Sequence, residues 1–128
     1  MTKLYKKTIL LLVGVFSLFA LSACSHTEMN GDFVNYEANG NGTYIVSDST
    51  SYLTIDNKTY SGTLGDAETS GVIDYSAHKL IPDKKTDKTV SYSFDEKNKV
   101  LTIKDGSFSD KYVKKGSSYY KKIMNNRQ

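Results

Sequence analysis

Cys24 is the residue of this chain best placed to do chemistry. It is the only cysteine among 128 residues, and it directly follows Leu21-Ser22-Ala23 at the end of an apolar run. A single cysteine excludes an internal disulfide, which leaves its thiol free, in an intermolecular bridge, or acylated. Nucleophilic catalysis needs a base and an orienting group that converge on the nucleophile. The histidines are His26, two residues beyond Cys24, and His78, in the stretch Tyr75-Ser76-Ala77-His78-Lys79 that reads as a solvated turn. No serine sits in a Gly-x-Ser-x-Gly elbow. There is no Cys/His cluster for zinc. Asp105-Gly106-Ser107-Phe108-Ser109-Asp110 is rich in oxygen but lacks the alternating acids and closing Glu of a calcium loop, so it reads as a turn. Asn39-Gly40-Asn41-Gly42 lacks the Lys-Ser/Thr and following helix of a phosphate loop. The expectation is a chain with no catalytic residue, no metal ligand set and no cofactor. The binding candidates that remain are tyrosines: Tyr44, Tyr52, Tyr60, Tyr75, Tyr92, Tyr112, Tyr119 and Tyr120. On strands such residues serve mainly to pack, with the hydroxyl at the rim.

The elements around Cys24 decide its chemistry. Lys3, Lys6 and Lys7 form a basic head, residues 9–21 are apolar, and Ser22 and Ala23 are small. That order is the pattern of a secretory signal peptide, and the apolar run falls short of the roughly 20 residues of a membrane span. Leu21-Ser22-Ala23-Cys24 resembles a bacterial lipobox. The resemblance implies cleavage between Ala23 and Cys24 and a diacylglycerol group, with its palmitate-type chains, on the Cys24 sulfur. It also implies a cell-membrane location on the extracytoplasmic face. Two acyl chains on one residue meet the requirement for stable anchoring, whereas one chain holds only marginally.

Loss of residues 1–23 changes the charge. The chain carries 17 basic and 14 acidic residues, and three of the bases precede position 24, so the mature part is balanced at 14 against 14. Its basic character therefore resides in the discarded segment, and no nucleic-acid partner is expected. Along the mature chain the balance is uneven. Residues 24–77 hold eight acids against Lys58, and the stretch after Asp110 holds Lys111, Lys114, Lys115, Lys121, Lys122 and Arg127 with no acid. The basic end either pairs with the acidic one or touches anionic lipid or wall polymer.

The remaining 105 residues suit one small domain. Residues 24–41 read as the lipidated cysteine and a polar tether, with Phe33, Val34 and Tyr36 able to form a first strand. Residues 42–124 read as the folded domain, and 125–128 as a tail. Period two recurs through the domain: Val90, Tyr92 and Phe94 alternate with hydroxyl residues, as do Leu53 and Ile55, and Tyr60, Gly62 and Leu64. Nine runs qualify as strands, near 32–36, 43–47, 51–56, 59–64, 71–75, 79–81, 89–95, 100–104 and 108–114. Some can merge, which gives seven or eight strands; residues 118–124 fit a last strand or a short helix. Turn residues between the runs make this an all-β antiparallel meander that closes into a barrel or a sandwich.

This arrangement resembles the small lipocalin-like domains of lipoproteins from low-GC Gram-positive bacteria. The likeness rests on Gly42-Thr43-Tyr44, Leu53-Thr54-Ile55, Tyr60-Ser61-Gly62-Thr63, Tyr92-Ser93-Phe94-Asp95 and Leu101-Thr102-Ile103. Gly31-Asp32-Phe33 stands where that family has Gly-x-Trp. The resemblance implies a fold and at most a ligand cup. The function expected is non-enzymatic binding, at the cell envelope, of a small amphipathic ligand or a protein partner. The alternatives are a defensive lipoprotein that blocks phage entry or a bacteriocin, and an accessory subunit of a transporter.

Overall fold

The computed structural model describes residues 29–64 and 67–128. Among these residues nine strands precede one helix: β1 (Gly31–Ala38), β2 (Tyr44–Val46), β3 (Tyr52–Asp56), β4 (Thr59–Leu64), β5 (Ala67–Asp74), β6 (Lys79–Pro82), β7 (Val90–Asp95), β8 (Val100–Asp105), β9 (Phe108–Lys114) and α1 (Ser118–Asn125). All nine runs legible in the sequence are strands, and none merges with its neighbour.

From β3 onward each strand pairs antiparallel with the next, and β1 pairs with both β3 and β9. The β1–β9 ladder, centred on Val34↔Val113 and Asn35↔Tyr112, closes eight strands into a barrel rather than a sandwich. Closure leaves no open edge on the main sheet, which removes a template for aggregation. The ninth strand, β2, continues the course of β3 along the same edge of β1. Its pairs (Tyr36↔Val46, Ala38↔Tyr44) are four residues out of register with those of β3 (Gly31↔Ile55, Val34↔Tyr52). The offset is taken up at Asn35, which donates its N–H to Ser51 O at 3.1 Å and accepts from Ser47 N at 3.0 Å. The residues between loop outward in a turn closed by Ser51 N to Ser47 O, 2.9 Å.

Alternation sends one side chain in two to the interior. Phe33, Leu53, Ile55, Tyr60, Ile73, Leu80, Tyr92, Leu101, Ile103 and Tyr112 form one cluster there, joined by Met29. Phe33 meets Phe94 edge-on with ring centroids 6.2 Å apart, the geometry that aromatic quadrupoles favour. Tyr112 is fully buried, and its hydroxyl shares a 3.1 Å hydrogen bond with Ser51 Oγ. Glycines allow the tight curl. A Cβ on Gly71 would strike the Ile81 carbonyl and lie 2.8 Å from Pro82 Cα, so β5 and β6 approach each other only because that atom is missing.

A second cluster lies outside the barrel. Val34, Tyr36, Val100 and Val113 face outward across the seam, and α1 covers them with Ile123, Tyr119 and Tyr120. The end of the chain is therefore the helix of the two expected forms. Ser117 caps it, its Oγ accepting from Tyr120 N at 3.1 Å and donating to Lys114 O at 2.7 Å. An eight-residue helix is marginal alone, so the packed seam stabilises it. Residues 125–128, expected as a tail, are tied to β2: Tyr44 donates to Asn126 O and accepts from Gln128 N.

Strand directions define two rims. The lower rim carries Met29, Asn30 and the connections 57–58, 75–78, 96–99 and 115–117. The upper rim carries 39–43, 83–89 and 106–107. Two boundaries differ from the sequence reading. Strand β1 and Met29 take residues 29–38 out of the stretch read mostly as tether, because Phe33 and Val34 are needed on opposite faces of the seam. Strand β5 starts at Ala67, not 71, since the ladder Leu64↔Ala67 to Thr59↔Val72 is made by backbone and does not require apolar side chains.

Candidate functional site

Cys24, Ala23 and His26 lie outside the described residues. What the structure fixes is where the chain leading from them joins the fold. Met29 is 5% exposed and packs into the lower end of the core. Beside it, Asn30 Oδ1 accepts from Asn57 N at 2.7 Å, and the Tyr75 hydroxyl donates to the Asn57 carbonyl. Asn57 has φ 60°, a left-handed conformation that asparagine tolerates in a turn. These bonds hold the start of the domain against the β3–β4 turn at the lower rim.

The tyrosines divide into separate groups rather than lining one end. Tyr60, Tyr92 and Tyr112 are interior, and Tyr75 packs against that core with its hydroxyl on Asn57. Tyr44, Tyr119 and Tyr120 lie outside, at the junction of barrel and helix. Tyr52 is exposed on the outer wall. At the junction, the Tyr36 ring stands 6.1 Å from Tyr44 and 6.0 Å from Tyr119, both edge-on. Burial raises the pKa of Tyr36, and its neighbour Tyr119 raises it further. Tyr119 is raised by burial and then by its hydrogen bond to Tyr44. These phenols keep their protons at neutral pH, so they act as hydrogen-bond donors and acceptors and not as bases. Tyr36 was legible in the sequence only as a strand residue; its role depends on the helix returning to the seam.

Shallow depressions flank this cluster. One of about 400 Å³ runs between β1 and β9 and includes Asn35, Glu37, Lys111 and Tyr119. Another, of about 660 Å³, is bordered by Lys97, Lys99, Lys122 and the Gly116-Ser117 turn. A third, of about 370 Å³, lies on the outer wall by Tyr52, Glu68, Lys84 and Asp87. The first and third carry charge of both signs, the second only lysines, and all three carry hydroxyls, a lining suited to water and to polar contact with another macromolecule. Apolar side chains stand on the wall and upper rim: Val72 and Ile81 form a cross-strand pair, and Phe108 is 76% exposed.

His78 occupies the turn expected for it, exposed, with φ 55° and its ring 5.5 Å from that of Tyr92. That turn is built by Asp74, whose carboxylate accepts from Ser76 Oγ and Ala77 N; the Ser76 bond first, then that of Ala77, lowers its pKa. Asp105–Asp110 is a hairpin, with Asp105 opposite Phe108 and Gly106 at φ 60°. No group of three or more His, Cys, Asp or Glu among the described residues is placed to hold a metal ion.

Fold and surface together define a small closed β-barrel of lipocalin-like type, with a C-terminal helix on its outer seam. No protein family, curated protein or solved structure matches the chain.

Proposed function

We propose that this protein is a non-enzymatic surface lipoprotein, anchored by acylated Cys24 on the outer face of the cell membrane, and that it binds a protein partner through its outer surface. The observation that supports a protein partner over a small ligand is the occupied interior. Phe33, Leu53, Leu80, Leu101 and Tyr112 are each fully buried within one packed cluster. A ligand entering there would have to displace side chains at a cost of several kcal/mol, since interiors pack as densely as organic crystals. The wall and upper rim instead present Val72, Ile81 and Phe108 among charged groups, the mixture found at protein–protein contacts.

The anchoring half is tested by metabolic labelling. Wild-type chain should take up radioactive palmitate and lose residues 1–23, while Cys24→Ala should remain full length and unlabelled. Labelling that persists in the variant refutes the assignment. The binding half is tested with a hydrophobic fluorescent probe on delipidated protein. No uptake is expected, and saturable uptake would restore the ligand-cup reading.

A further inference from the structure

We infer that the lower rim of the barrel is the surface that meets the lipid headgroups, and that the upper rim is held away from the membrane. This rests on the reading of Cys24 as the lipid anchor. The argument is one of chain length. A flexible tether over all of residues 25–41 would lift the domain off the headgroups with a reach of roughly 20–25 Å. The fold removes most of that freedom, because Met29 is buried in the core and Asn30 is bonded to the β3–β4 turn. Five residue steps separate Cys24 from Met29, and fully extended they span at most about 18 Å. From Gly31 to Ala38, β1 alone rises about 23 Å. Tilted by about 35–45° in the barrel, that strand gives a height of about 16–19 Å before the loops of both rims are added, so the tether could bring the upper rim to the lipid only by lying fully extended along the whole wall.

The lower rim has the composition for a headgroup layer. Lys58, Lys79, Lys97 and Lys115 are exposed there, interspersed with Asp56 and Glu96. The exposed apolar residues Ile45, Tyr52, Val72, Ile81 and Phe108 lie on the wall or the upper rim. The rim thus rests among polar headgroups without inserting into acyl chains. The upper rim, with Phe108 at its edge, faces outward toward a partner.

The chain contains no tryptophan, so a single introduced one is a clean reporter. Lipidated mature protein, residues 24–128, carrying Lys58→Trp or Glu96→Trp on the lower rim, or Lys85→Trp on the upper, is reconstituted into phosphatidylcholine vesicles doped with a dansyl-headgroup lipid. Energy transfer to dansyl should be roughly threefold or more higher from the lower-rim positions, because about 20 Å of strand separates the rims. A flexible insert of about 20 residues between Thr27 and Glu28, reaching roughly 25 Å, should abolish the difference. Equal transfer from both rims, without the insert, overturns the orientation while leaving the anchor standing. Failure of the wild-type protein to associate with the vesicles at all sinks the anchor and the orientation with it.

Discussion

Burial makes the interior tyrosines sensitive to alkali. Desolvation is the main cause that pushes the Tyr92 hydroxyl up to about 12 from its ordinary 10.0, and Tyr60 and Tyr112 are raised for the same first reason. A folded-state pKa above the unfolded one gives stability that is complete below the unfolded value and disappears as pH climbs through the folded one. The protein should therefore hold its stability up to about pH 10 and lose it between about 10 and 12. Denaturant titrations across that range test this, and Tyr92→Phe should flatten the decline. Gly71 is the other residue whose chemistry is decided by its neighbours. Gly71→Ala should cost about 1–3 kcal/mol or more, because the added methyl meets the backbone of β6 rather than a movable side chain. A thermal melt indistinguishable from wild type would show that β5 and β6 can separate.

Helix α1 matters more than its length suggests, since it covers the seam at which the barrel closes. Ile123 is fully buried between Val34, Val100 and Val113. Ile123→Ala should cost about 2–5 kcal/mol, the range for a large apolar side chain truncated in a core. Ser117→Ala, which removes only the cap, should cost about 1 kcal/mol. Chemical denaturation gives both values. If the two substitutions proved equally mild, the helix would be an ornament rather than a part of the fold. The Tyr36–Tyr44–Tyr119 cluster belongs to the same assembly, so its formation should follow the helix and not precede it.

At the scale of the whole molecule, charge is dispersed. Lys114 and Lys115 sit near the lower rim, Lys121 and Lys122 on the helix, and Arg127 beside Tyr44. The basic end of the sequence is thus spread along the barrel's height, with Lys122 alone joining Lys97 and Lys99 around one depression. With 14 bases against 14 acids after residue 23, electrostatics offers little net attraction to an anionic surface. Protein beginning at residue 24 with Cys24→Ser should stay in the supernatant when anionic vesicles are sedimented at physiological salt. Pelleting that vanishes in high salt would show instead that charge, and not acyl chain, holds the domain to the bilayer.

Period two is a local property, so the nine strands were visible as alternating runs such as Val90, Tyr92 and Phe94 or Leu53 and Ile55. Their turns were visible as Asp56-Asn57 and Asp105-Gly106. The lipidation proposed here, too, is read from four consecutive residues ending at Cys24. The meeting of β1 with β9 was beyond that reach, because Val34 and Val113 are 79 positions apart and nothing near either one specifies the other. Once they pair, Phe33, expected at most in a short first strand, enters the core, Ser118–Asn125 becomes a helix with a seam to cover, and the tyrosines are divided between inside and outside. Local pattern determined the elements and is the sole basis of the anchor proposed at Cys24. Closure, a long-range contact, decided the interior, the seam and which end of the barrel receives the chain from Cys24.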